Sequence, residues 1–157
     1  MYNPNDPVGK VTETMAKLFA FMADEVIKEM GGEKGELVVK KAVRRFANLR
    51  AEKIINKIKA DGKEITFHTV EEYSDYPPND AWDCDSFIEG DTLREVNRIC
   101  PFSKAFREIG LEQAGRLYCE EIDLALNEAF FGNIEFSRPA IFTDSVNAPC
   151  EMLVKKL

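Results

Sequence analysis

The 157-residue sequence predicts an α+β fold: N-terminal helices packed on a small antiparallel sheet, then a strand-helix-helix-hairpin C-terminal half. Three observations carry this. Apolar residues recur at helical steps through roughly the first sixty positions. Alternating segments occur at 92–99, 134–142 and 150–156. Gly and Pro punctuate the joins between these patterns.

The elements follow in order. In "VTETMAKLFAFMADEVIKEM", residues 11–30, Val11, Met15, Leu18, Met22, Val26 and Met30 fall at steps of three and four, and Gly31-Gly32 ends the helix. A second helix is expected from about Glu33 to Ala60, with Val39, Val43, Phe46, Ile54 and Ile58 as its apolar stripe and Asp61-Gly62 as its stop. Its other face is basic: Lys40, Lys41, Arg44, Arg45, Arg50, Lys53 and Lys57. "EITFHTV" reads as a short strand, and the Pro- and Asp-rich stretch over 69–91 reads as a long loop. "TLREVNRI" is strand-like, though its alternation is imperfect. "PFSKAFREIG" is a short helix opened by Pro101 and closed by Gly110. The helix "LEQAGRLYCEEIDLALNEAF" follows. "IEFSRPAIF" is a strand whose Pro139 demands an edge or a bulge. "CEMLVKK" closes the chain with Cys150, Met152 and Val154 on one face.

Length and composition bound the function. A chain of 157 residues, 45% hydrophobic, is read as one domain over 1–157 with a real core. A net charge of −7 argues against nucleic acid as a partner, since phosphate binding needs a basic surface. No apolar run approaches the ~20 residues of a membrane span, and "MYNPNDPVGK" lacks the order of a signal peptide. A cytoplasmic location is expected, with Cys84, Cys100, Cys119 and Cys150 reduced.

Four residues invite a functional reading. Cys100 precedes Pro101, so it stands at a helix N-cap, where the helix end favours a thiolate. Cys119 and Asp123 are four apart on one helix, so thiol and carboxylate share a face. A carboxylate raises a neighbouring thiol's pKa, so Asp123 suits a general base or an anchor for a substrate amine. Cys150 opens the last strand facing inward. Each thiol also reads as ordinary core filling. Zinc held by Cys100, Cys119 and Cys150, with Asp123 or His68 as a fourth ligand, is the metal alternative, although no paired C-x-x-C supplies the usual scaffold. Trp82 covers either a pocket or the core.

"RICPFSKAFREIGLEQAGRLYCEEID" resembles the L-2-amino-thiazoline-4-carboxylic acid hydrolase family of bacterial proteins. The matching positions are Cys100-Pro101-Phe102, Ile109-Gly110, Tyr118-Cys119 with Asp123, and Cys150-Glu151-Met152. "VVKKAVRRFANLRAEKI" resembles the family's basic helix, which puts the family-like core at about 33–157. The turn "TDSVNAP" lacks the glycine usual in the family's closing hairpin.

The resemblance implies a cysteine-lined pocket that hydrolyses a cyclic amidine to a carbamoyl-cysteine type product. Cys100 is then the expected nucleophile, with Asp123 binding the amidine or moving a proton, and Cys119 and Cys150 completing the site. Arg98, or an arginine of the basic helix, would pair with the substrate carboxylate. Trp82 and Tyr118 would contact the ring. The expected partner is a small-molecule substrate, with no cofactor, no nucleic acid and no membrane, and self-association stays open. The competing class is a non-enzymatic sensor of a small ligand or metal.

Overall fold

A computed structural model describes residues 1–145 and 147–157. Asp6 caps the first helix by accepting from the Val8 N–H at 2.8 Å, and Pro7 takes the first helical position, where no N–H is needed. Helix α1 spans Pro7–Met30 and α2 spans Gly32–Ala60. The buried face of α1 is not the expected stripe. Gly9, Thr12, Ala16, Ala20 and Ala23 are buried, whereas Val11, Met15, Leu18, Met22 and Met30 are exposed. Small residues let α1 approach its neighbours closely, and longer side chains would hold the axes apart. On α2, Val39, Val43, Ile54 and Ile58 are buried as expected, but Phe46 is exposed and Ala47 and Ala51 fill the gap.

The middle of the chain departs most from expectation. "EITFHTV" is no strand: α3, Phe67–Glu72, starts there. Thr66 and Thr69 form a reciprocal capping box, with each hydroxyl accepting from the other residue's N–H, at 2.8 and 3.1 Å. Part of the expected 69–91 loop is strand β1, Asp83–Glu89. Its turn-forming residues are tolerated because β1 is an edge strand with most side chains exposed. A two-residue turn joins it to β2, Thr92–Ile99, with Gly90 at φ +58°.

The C-terminal half follows the expected order: α4 at Pro101–Glu108, α5 at Glu112–Phe131, β3 at Ile134–Ala140 and β4 at Cys150–Lys156. The sheet is antiparallel, ordered β1-β2-β4-β3. β3 is an edge strand with a register break between Ser137 and Ala140, around Pro139, as that residue requires. The expected turn over 143–149 contains Val146, which lies outside the described residues. The fold is therefore α+β, with the N-terminal helices preceding the sheet. No helix among the described residues is long and apolar enough to cross a membrane.

Three apolar clusters hold the layers together. Val39, Val43 and Ala47 of α2 meet Leu117, Ile122 and Ala125 of α5. Ala16 and Ala20 of α1 meet Phe106 of α4 and Phe142. Phe67 of α3 packs on Leu93, Met152 and Val154 of the sheet. The basic face of α2 is only partly a solvated surface: Lys40 pairs with Glu120, and Arg44 with Glu121 and Glu128 of α5.

Candidate active site

A cavity of about 350 Å³ opens where the sheet, α4, α5 and the 73–82 segment meet. That is at the small-ligand end of the usual range. Strand geometry decides which residues of β2 reach it. Successive side chains point to opposite faces, so Leu93, Glu95 and Asn97 face inward and Arg94 and Arg98 face outward. Glu95 and Asn97 line the cavity, and Cys150 of β4 is registered opposite Asn97. Arg98 lies on the other face, where its guanidinium donates to Asp83 and Asp85 of β1 at 2.6–3.0 Å. Arg98, expected to bind the substrate carboxylate, does not line this cavity.

The other expected side chains share the cavity wall. Tyr118, Cys119 and Asp123 reach it from α5, with Ile122 between them. Cys100 reaches it as the N-cap of α4, followed by Phe102, and Trp82 reaches it from the segment before β1. Phe102 stacks on Tyr118 at 4.7 Å between ring centroids, and Tyr76 meets Trp82 edge to face at 5.3 Å. The result is an aromatic side and a thiol-carboxyl side.

The thiol chemistry differs from the expectation of a stabilised thiolate. Burial pushes the Cys100 thiol up, and the N–H groups of Ser103 and Phe102 and the indole of Trp82 pull it down without cancelling that rise. These donors approach the sulfur without completing a side-chain cap hydrogen bond. Burial pushes Cys119 and Cys150 up as well, and each feels the charge of Cys100. Resting thiols, not thiolates, fill the site near neutral pH.

Among the described residues, no three His, Cys, Asp or Glu side chains lie close enough to hold one ion. Cys100, Cys119, Cys150 and Asp123 stand on a helix end, a helix face and a strand, and form no such group. His68 is exposed on α3 and does not line the cavity.

Three charged residues join the site that the sequence did not single out by position. Arg50 of α2 forks onto Asp75 at 2.6 and 2.8 Å, with its guanidinium over the ring of Tyr76. It belonged to the basic face, and its selection over six other cations rests on where α2 passes the cavity. Arg138 of β3 donates to Asp123 through Nη2, and its Nε is buried with no hydrogen-bond partner. Among the described residues no cation is bonded to Glu95; the Ser86 hydroxyl donates to it at 3.4 Å. Burial, and then the charge of Asp123, push its carboxyl up to about 7, against the opposing pull of Ser86 and Arg138. The signal for Glu95 was the imperfect alternation of "TLREVNRI": polar residues occupy the face that Leu93 sends inward.

The arrangement supplies two carboxyl groups, two guanidinium groups, a thiol at a helix end and flat aromatic walls. A carboxyl held near neutrality, as Glu95 is, suits acid–base work. No curated protein and no solved structure matches the chain. The family model described as L-2-amino-thiazoline-4-carboxylic acid hydrolase matches residues 12–144, from the first turns of α1 to just short of β4, and the chain belongs to that family.

Proposed function

We propose that this hydrolase-family chain opens a small cyclic amidine that carries a carboxylate, of the aminothiazoline-carboxylate type, to a carbamoyl-cysteine type product. The observation that carries the reading is one aromatic-walled cavity lined by two carboxyl groups, Asp123 and Glu95, and two guanidinium groups, Arg50 and Arg138, with Arg138 bonded to Asp123. A protonated amidine calls for a carboxylate, a substrate carboxylate calls for a guanidinium, and a flat ring calls for aromatic walls.

In this mechanism Asp123 holds the amidinium, and the unpartnered Nε of Arg138 helps hold the substrate carboxylate. Glu95, poised near neutrality, takes the Cys100 proton as the sulfur attacks the carbon between ring nitrogen and ring sulfur. The bond from that carbon to ring sulfur breaks, and Glu95 returns the proton to the departing sulfur. Water then attacks the Cys100-bound carbon, giving its proton to Glu95. The carbon–Cys100 bond breaks, and Glu95 reprotonates the thiol. One water is consumed, one thiol is released on the product, and the enzyme is restored. Cys119 and Cys150 keep the surroundings of Cys100 apolar.

The test is thiol release from L-2-amino-thiazoline-4-carboxylate, followed with a disulfide chromogen and by product mass. The wild-type chain releases one thiol per carbamoyl product, and Cys100→Ser loses at least about 100-fold in kcat. No thiol release by the folded wild type refutes the substrate class. Full activity in Cys100→Ser refutes the covalent step alone.

A further inference from the structure

We propose that the outward face of α1 and α2 docks a second copy of this chain, forming a four-helix interface that covers the aromatic side of the cavity. The exposed large apolar side chains concentrate there. Val11, Met15, Leu18, Phe21 and Met22 on α1, and Val38, Phe46 and Leu49 on α2, are between 38% and 65% exposed. Monomeric soluble proteins rarely leave a patch of this kind open.

The spacing says what covers it. Val11, Met15, Leu18 and Met22 follow steps of four, three and four, the a/d pattern of a helical seam. The alanines of α1 already occupy its inward face, and among the described residues the large side chains of this second seam stay exposed. A seam with this repeat packs against a helix with the same repeat, and a second copy presents one in self-complementary, two-fold geometry. The area agrees. Eight large side chains, each roughly half exposed, offer on the order of 700 Å² per copy, close to the ~800 Å² per partner of a stable interface. A lipid surface fits less well, because a chain of net charge −7 is repelled by anionic headgroups.

The position ties the interface to the site. An apolar groove of about 430 Å³ runs between Val11 and Met15 of α1 and Phe46 of α2. Its floor is Tyr76, Phe102 and Tyr118, which are also walls of the cavity. A docked copy seals that side from water. The inference stands independently of the substrate proposed above.

Sedimentation equilibrium of the full chain from ~1 to ~100 μM tests it. The wild type should run as a dimer, at twice 17.8 kDa. Met15→Glu with Leu18→Glu should weaken dimerisation by at least 100-fold while far-UV circular dichroism stays unchanged. Val38→Glu with Leu49→Glu, on the other helix, should do the same and guards against misfolding of the first pair. Phe87→Glu, exposed on β1, should remain dimeric. A wild type monomeric throughout overturns the proposal. So does a dimer indifferent to both α1 and α2 pairs, or a monomer that binds neutral-lipid vesicles through this face.

Discussion

Glu95→Gln should stabilise the fold while it damages the chemistry, and the stabilisation should depend on pH. Glu95 sits on the inner face of β2 with burial and the Asp123 charge against its ionisation, which raises its carboxyl from 4.5 to about 7. In the unfolded chain it ionises near 4.5. Between those values the native state holds a proton that the unfolded state has released, so stability falls as pH rises through the window and the loss is complete above about 7. At 1.36 kcal/mol per pH unit the shift corresponds to about 3 kcal/mol, and partial solvent access trims this to about 2–3 kcal/mol. Glutamine keeps the shape and still accepts from the Ser86 hydroxyl, but never carries the charge. The variant should match the wild type near pH 4.5 and exceed it by about 2–3 kcal/mol at pH 8, which is a rise in Tm of roughly 4–12 °C for a chain this size. Urea unfolding of both proteins at pH 4.5, 6 and 8 measures it. Ring opening should meanwhile drop by about 10²–10⁴-fold. Equal gains at all three pH values, or a variant less stable at pH 8, would refute the idea of a strained ionised carboxyl.

Other outcomes follow from the same geometry. Arg138→Met removes the cation that restrains Glu95, so the Glu95 limb of the pH–rate profile should move upward, and an unmoved limb in a folded variant would separate the two residues. Gly115→Ala drives a Cβ into the ring of fully buried Phe106, at an expected cost of about 1–3 kcal/mol seen as a lower Tm; an unchanged Tm would mean that the ring yields freely.

How much of this was legible in the sequence depends on how local each cause is. Pro101 after Cys100 marked a helix start, Gly110 marked its end, and Pro139 placed β3 at an edge with a bulge. Those are properties of single residues and their backbone. The short helix α3 was hidden because its Thr-rich segment has strand propensity, and a capping box between Thr66 and Thr69 outweighed it. Strand β1 was hidden because edge strands need only one paired side and little burial, so its Asp-rich sequence looks like a loop.

The inverted face of α1 shows the limit most clearly. Periodicity established that 11–30 is a helix with a large-residue stripe, yet two faces repeat at that period, one of alanines and one of larger side chains. Only packing against α2, α4 and α5 decided that the alanines go inward, because close approach of helices favours the smaller face. The site divides in the same way. The sequence by itself determined that Cys100 begins a helix, that Cys119 and Asp123 share a face, and that Cys150 faces in from the last strand. The tertiary structure decided that these walls meet around one cavity and that β2 sends Glu95 into it and Arg98 away. It also decided that Arg50 and Arg138, far apart in the chain, supply the charges. Charge pairing and desolvation are set by distances between elements, and no local pattern records those distances.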